Sequence, residues 1–193
     1  VYVDTEGTFS PERIEVMGER LGVDDPLEGV TVVRPVNVME LEEAVMDVVP
    51  GEVRRGARLV VVDSIIALYR AQFRGREMLV ARQQRINYLL DWLRRHARRF
   101  EVAVVYTNQV YEKPLPMGVS RKEPAGGNIV AHAATHRFLL RRSGDAWVME
   151  CIDSPVIPRG ASARFLITGR GVEDYASLRD SSAAHGSEAG RIG

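Results

Sequence analysis

The sequence predicts an α/β fold built on a mainly parallel, twisted sheet flanked by helices, with antiparallel strands at its C-terminal end. Two apolar runs, Val1-Tyr2-Val3-Asp4-Thr5-Glu6-Gly7 and Leu59-Val60-Val61-Val62-Asp63-Ser64, finish on carboxylates, and a third, Ala103-Val104-Val105-Tyr106-Thr107-Asn108-Gln109, finishes on paired amides. Buried strands that each end in polar groups are the signature of the carboxyl edge of a parallel sheet. Segments of helical periodicity lie between these runs, which implies right-handed crossovers. At 193 residues, 45% apolar and 27% charged, the chain has the size and composition of one soluble α/β domain.

The elements follow in order. Residue 1 is already inside a strand, so the beginning of the domain is expected to be missing. Ser10 can cap a helix whose first residue is Pro11, with Glu12 and Glu15 near the positive end of its dipole, running to about Leu21. Val30 to Val36 reads as a strand. Asn37 and Glu40 form a capping-box-like start for a helix to Val49, ended by Pro50-Gly51. After the strand at Leu59, apolar residues at Ile86, Leu89, Leu90, Leu93 and Ala97 make a helical stripe between Leu79 and Phe100. That helix keeps Arg82, Arg85, Arg94, Arg95, Arg98 and Arg99 wet. Val102 to Thr107 is the next strand. Phe138 to Arg142, Trp147 to Ile152 and Phe165 to Thr168 then read as antiparallel strands finishing the sheet, separated by Ser143-Gly144-Asp145 and by Pro155 to Gly160. The domain spans 1–175, and the Ser-, Ala- and Gly-rich residues 176–193 read as a disordered tail.

Charge is segregated along the chain although its formal sum is zero. Residues 1–50 carry 3 basic and 12 acidic groups, and residues 51–100 carry 12 basic and 4 acidic. A basic middle in a neutral protein points to a local anionic partner such as nucleic acid, or else to solvated helix faces. Arginine supplies nearly all of the positive charge, the lysines being Lys113 and Lys122. One cysteine, Cys151, excludes an intrachain disulfide and suits a reducing compartment, so the expected location is cytoplasmic. No apolar run approaches a membrane span and no signal peptide opens the chain.

Glu6 and Asp63 end strands that can be neighbours, a division of labour suited to nucleoside triphosphate hydrolysis. One carboxylate holds magnesium, directly or through water, and the other orients the attacking water and takes its proton. Thr107, Asn108 and Gln109 supply a candidate sensor of the terminal phosphate, or simply start a turn. Two loops adjoin these strand ends. Tyr69 to Glu77 holds Arg70, Arg74 and Arg76 with Phe73, and Tyr111 to Ala125 holds Lys113, Arg121 and Lys122 with three prolines and nothing that suggests regular structure. Guanidinium donors beside an aromatic ring suit a single strand of nucleic acid. His132 and His136 lack a third ligand at zinc spacing, so His132 is either a phosphate-site histidine or a buried structural one. Ser64 lacks the Gly-x-Ser-x-Gly elbow of a nucleophile, and Asp153-Ser154-Pro155, with Pro158 beyond, is by itself an acidic turn.

In order and spacing these pieces resemble the RadA/RecA family of strand-exchange recombinases, most closely archaeal RadA proteins and their eukaryotic counterparts. The matching residues are Val3-Asp4-Thr5-Glu6-Gly7-Thr8-Phe9 with Pro11-Glu12-Arg13, Leu59 to Ser64, Ala81-Arg82-Gln83, Thr107-Asn108-Gln109-Val110, Gly126-Gly127-Asn128-Ile129-Val130-Ala131-His132-Ala133 and Asp153-Ser154-Pro155. The resemblance implies a RecA-like ATPase core using ATP and Mg2+. It also implies self-association into a helical filament on single-stranded DNA and pairing with homologous double-stranded DNA. By the same resemblance Glu6 is the catalytic glutamate, Asp63 the Walker B aspartate, and Gln109 the residue coupling nucleotide state to the second DNA loop. His132 corresponds to the histidine sensing the neighbouring subunit's phosphate. Arg70 and Arg76 fall at first-loop DNA contacts, and Asp153, Ser154, Pro155 and Pro158 at the cap over ATP bound by the adjacent protomer.

The departures set the alternatives. No G-x-x-x-x-G-K-[ST] phosphate loop occurs, so a first βα unit is expected upstream and these residues alone should bind ATP poorly. Glu77 replaces a small residue after the first-loop arginine, the second loop is short, and Arg159 and Ser162 stand where the family tends to be acidic. A non-catalytic paralogue or accessory module that regulates filaments is the second reading. A RecA-like ATPase acting on other substrates is the third.

Overall fold

Tyr2–Asp4 (β1), Val32–Val33 (β2), Leu59–Asp63 (β3) and Ala103–Tyr106 (β4) form one parallel sheet in the order β2-β1-β3-β4. The computed structural model describes residues 1–114 and 120–175; the predicted tail lies outside the described residues. By contacts the chain divides into two compact units, Val1–Phe9 with Glu28–Ala134 and Ser10–Leu27 with Thr135–Gly193.

The first unit holds the parallel sheet. Register pairs Asp4 with Asp63 and Val62 with Tyr106, so the three polar strand ends predicted from sequence lie side by side. β2 is shorter than the predicted Val30 to Val36 strand. Pro35 has no N–H for the ladder, and Val36 beyond it is 76% exposed. Asn37 caps helix α1 of this unit's first crossover at Val38–Glu43, its side chain accepting from the Glu40 N–H at 2.9 Å while a Glu40 carboxylate oxygen accepts from Val36 N–H at 3.0 Å.

Pro50-Gly51 does not end the helical segment. A π-helical turn, Ala44–Val48, hands the chain directly to helix α2, Val49–Arg54, with the Val49 N–H bonded back to the Ala44 carbonyl. In a regular helix Pro50 would lack a donor, and its ring would meet the carbonyl four residues back. The wider turn makes Pro50 a first-turn residue, where no intrahelical N–H is required.

A short helix, α3 (Ala67–Gln72), occupies part of the segment expected to be a loop, and α4 (Leu79–Phe100) follows. On α4 the stripe Ile86, Leu89, Leu90 and Leu93 is buried with Val3, Val60, Val62, Leu41 and Val45, each such side chain contributing roughly 1.5–3 kcal/mol. His96 is buried in the last part of the stripe beside half-buried Ala97, its Nε2 2.9 Å from the Val45 carbonyl. The buried Glu42 carboxylate accepts from the Tyr69 hydroxyl at 2.9 Å and from both Nε and Nη2 of Arg85, at 3.0 and 2.5 Å. Arg85 is therefore a tie between helices and not merely a wet residue of α4.

The segment Tyr111 to Ala125, expected to be irregular, contains an antiparallel hairpin of β5 (Val110–Pro114) and β6 (Ser120–Pro124). Pro114 and Pro124 sit at strand ends, where the missing N–H is tolerated. Residues 115–119 between them lie outside the described residues. Helix α5 (Gly127–Ala133) closes the unit.

In the second unit, the predicted helix after Ser10 spans Pro11–Leu21; the Ser10 hydroxyl accepts from the Arg13 N–H, and Gly22 takes the left-handed conformation, φ 66°, at its end. The predicted antiparallel strands are β7 (Arg137–Ser143), β8 (Ala146–Asp153) and β9 (Ser162–Thr168), joined by an unpredicted β10 (Gly171–Asp174). Their ladders close on one another in the order β10-β9-β8-β7, a sheet of their own where the sequence suggested strands finishing the parallel one. Gly171, at φ 111°, leaves room for Met17: a Cβ there would lie 2.6 Å from Met17 Cγ.

Candidate active site and adjoining groove

The chain leaves β1 toward β2 on one side and β3 toward β4 on the other, so the crevice beyond Asp4 and Asp63 is a topological switch point. Ligands of open α/β sheets bind at such points. Glu6 and Asp63 both stand there.

Asp4, 2% exposed, shapes the loop that carries Glu6. Its carboxylate accepts from the N–H groups of Gly7 (2.8 Å), Thr8 (3.0 Å) and Phe9 (3.2 Å), and Arg34 Nε lies 3.4 Å away. Burial pushes its pKa up, but these donors outweigh burial and hold it below the ordinary carboxylate value. Gly7, φ 71°, supplies the turn. The loop presents Glu6 exposed, with Oε1 accepting from the Ser64 hydroxyl at 2.6 Å. Ser64 is itself fixed: its N–H donates to Thr5 Oγ1 at 2.8 Å, and its carbonyl accepts from the same hydroxyl at 2.9 Å.

Asp63 is half-buried, with Oδ2 accepting from the Tyr2 hydroxyl at 2.6 Å and Oδ1 from the Thr107 hydroxyl at 2.5 Å. Burial, then the bond to Asp63, raises the Tyr2 pKa, so the phenol remains a donor. Among the described residues no three His, Cys, Asp or Glu side chains converge as a metal cluster. Magnesium carried by a nucleotide needs only one or two carboxylates, so the half-buried Asp63 carboxylate fits such an ion.

Beyond β4 the paired amides divide. Asn108 Nδ2 donates to the Ala125 carbonyl at 2.7 Å, and Gln109 accepts twice, from Ala125 N–H on its carbonyl at 2.8 Å and from Arg70 Nη1 on Oε1 at 2.5 Å. Arg70 lies on α3, while Arg74 and Arg76 follow it in the exposed loop. A cavity of about 400 Å³ opens beside them, lined by Arg70, Arg82, Gln83, Tyr111, Gly126 and Gly127 among others. Arg82 Nε and Gln83 Oε1 are buried without hydrogen-bond partners in residues that line this cavity. Sequence reasoning placed Arg82 on the wet face of its helix, yet it is half-buried and faces this cavity. Its position next to Gln83 near the start of α4, on the side of the Arg70 loop, was the available signal.

Lys113 and Arg121 pair across the β5–β6 hairpin, and Lys122 pairs with Glu112, so the predicted cations of the second loop sit on strands. His132 is exposed on α5, which excludes the buried structural reading; His136 lies past the end of that helix, so the two do not share a helical face. In the second unit Asp153 ends β8 and is exposed, and Ser154 Oγ accepts from Val156 N–H (3.2 Å) and Ile157 N–H (3.0 Å) and lies 2.9 Å from His136 Nδ1. Pro155 and Pro158 are exposed on the same turn. Tyr2 and Ser64 went unrecognised as supports, because each acts through a hydrogen bond that only the pairing of β1 with β3 creates, and Asp4 because its bonds run to the backbone of the loop just after it.

Comparison with known proteins gives a consistent result. The Rad51 family profile matches residues 1–175. The chain is 39% identical over 178 residues to meiotic recombination protein DMC1 homolog A of Oryza sativa subsp. indica, covering 90% of this chain and 52% of that protein. It is 39% identical over 180 residues to the DNA repair and recombination protein RadA of Methanococcus maripaludis strain C7, covering 90% of this chain and 55% of that protein. It is 40% identical over 178 residues to the DMC1 homolog of Lilium longiflorum. The chain thus spans about half the length of the curated relatives it matches. No helix among the described residues is long and apolar enough to cross a membrane.

Proposed function

Because this chain belongs to the Rad51 family, we propose that it serves homologous recombination and DNA repair as the core of an ATPase that binds single-stranded DNA as a filament and exchanges strands. The observation that carries the reading is the Ser64 hydroxyl bonded to Glu6 at the switch point, one residue from Asp63. A general base must be held beside the reacting phosphate, and phosphoryl transfer depends on positioning more than on covalent chemistry.

Glu6 takes the proton from the attacking water. Ser64 and the Asp4-held loop fix the direction of its carboxylate. Asp63, oriented by Tyr2 and Thr107, would hold Mg2+ directly or through water. When bound, that ion neutralises charge on the terminal phosphate of ATP. Gln109 follows β4 and is bonded both to Arg70 and to Ala125 past the hairpin, so loss of a terminal phosphate at the strand end would alter these bonds and be felt in the groove. Arg70, Arg74 and Arg76 with the hairpin cations bind the single strand, beside the cavity lined by Arg70, Arg82 and Gln83. His132 reaches toward the nucleotide of a neighbouring protomer; independently, the turn of Asp153, Ser154, Pro155 and Pro158 serves as a cap over ATP bound by an adjacent protomer.

Glu6→Gln in the full-length protein tests the reading. Turnover of ATP should fall by about 10²–10⁴-fold while ATP-dependent binding of single-stranded DNA persists. Equal hydrolysis rates for variant and parent would end the base assignment.

A further inference from the structure

The sheet has a second charged edge that the proposed ATPase does not use. At the amino ends of β3 and β4, opposite Glu6 and Asp63, α4 finishes at Phe100, and the Arg58 carbonyl accepts from Ala103 N–H at 3.0 Å. The guanidinium carbons of Arg54 and Arg99 lie 6.0 and 5.8 Å from the centre of the Phe100 ring. Arg58 stands just before β3, where its carbonyl meets Ala103, and Arg98 precedes Arg99 in the last turn of α4, so four arginines from the end of α2, the approach to β3 and the end of α4 share this edge, two of them over Phe100.

Two of the nearby acids are already engaged, and Glu101, exposed next to Phe100, makes no ion pair with these arginines. Asp91 binds Arg94 and Arg95, and Glu52 binds Arg55 and the Thr31 hydroxyl. Among the described residues Arg54, Arg58, Arg98 and Arg99 have no carboxylate within 4.0 Å, and all four are exposed. Burial, with Arg54 and Arg99 adding to it, lowers the pKa of His96 beneath them, as expected next to uncompensated positive charge.

We propose that this arginine cluster is a second nucleic-acid site, binding the phosphate backbone of double-stranded DNA independently of the groove beside Gln109. A helix C-terminus alone gains from one or two cations. Four unpaired guanidiniums drawn from three elements exceed that need. Guanidinium groups pair with phosphate oxygens bidentately, and a duplex offers a regular row of singly charged groups that arginines on separate elements can meet one by one. An acidic peptide is the competing partner, but it would concentrate its charge on fewer points.

The test is binding of a labelled duplex oligonucleotide to the chain by fluorescence anisotropy across a salt series. Replacing Arg54, Arg58, Arg98 and Arg99 by Gln should flatten the slope of log affinity against log salt by roughly three to four units. The same positions changed to Lys should retain the slope, and Arg70→Gln/Arg76→Gln should leave the duplex slope as in the parent while weakening single-strand binding. An unchanged slope in the Gln variant overturns the proposal. So does loss of slope in the Lys variant, which would indicate packing on Phe100, or displacement of the duplex by polyglutamate at equal charge concentration, which would assign the face to an acidic protein.

Discussion

Ser64 Oγ donates to Glu6 Oε1 at 2.6 Å, linking residues 58 positions apart on loops that leave adjacent parallel strands. Ser64 is buried and Glu6 exposed, so the hydroxyl aims the carboxylate without screening it from solvent. Ser64→Ala removes only this aim. In the full-length protein kcat for ATP should fall roughly tenfold, the scale of one hydrogen bond to a charged group, with KM nearly unchanged. A raised KM with unchanged kcat would instead make Ser64 a nucleotide contact.

Arg70 and Gln109 are bonded side chain to side chain, and the Gln109 carbonyl holds the residue that follows the hairpin, Ala125. The carboxyl edge of the parallel sheet and the groove therefore share one amide. Gln109→Ala should leave single-strand affinity without nucleotide close to that of the parent, yet erase the increase produced by ATP. Anisotropy of a labelled oligonucleotide with and without nucleotide makes the comparison, and a full ATP response in the variant would remove Gln109 from the coupling. Arg70→Ala should lower the salt slope of single-strand binding by about 0.7 if it contacts one phosphate.

Asp4 is the structural carboxylate of the site. Its folded pKa is depressed, so the stability it supplies is fully present above the ordinary carboxylate value and is lost as pH falls through the folded one. Asp4→Asn leaves three N–H groups with a weaker acceptor and should cost about 1–3 kcal/mol at pH 7. The gap between parent and variant in urea midpoint should narrow on acidification below pH 4 or so, as the parent's carboxylate protonates. A gap independent of pH would show that charge on Asp4 is immaterial.

The parts of this molecule that burial patterning dictates were legible before its structure. Val60, Val62 and Val3 mark the sheet, and Ile86, Leu89, Leu90 and Leu93 mark the long helix, because period alone separates buried from wet positions. Pro50 misled because a π-helical turn, invisible to periodicity, absorbs it. The β5–β6 hairpin misled because its prolines lie at strand ends, where turn chemistry and edge chemistry look alike. Glu6 and Asp63 could be placed at one edge from sequence, but their orientation by Ser64, Tyr2 and Thr107 depends on register, which no local pattern specifies.

Arg85 gives the sharpest case of a residue whose role depends on its partner. Its side chain is 46% exposed, whereas that of Glu42 is 9% exposed and accepts from Tyr69 as well. The bond to Glu42, opposed by burial, raises the Arg85 pKa, and burial followed by Glu42 raises that of Tyr69, so both remain donors to the carboxylate. Arg85→Met strands a nearly buried charge. The full penalty for breaking a buried pair is about 3–5 kcal/mol, and water reaching the Arg85 side lowers it to roughly 1–3 kcal/mol. Glu42→Leu combined with Arg85→Met removes both charges and should recover much of that loss, because the paired state carries its own desolvation cost. Urea denaturation of the parent, both single variants and the double variant closes the cycle. Additive losses would show that the two side chains stabilise the helices independently. Neither variant should change the salt slope of single-strand binding, since Arg85 does not line the groove.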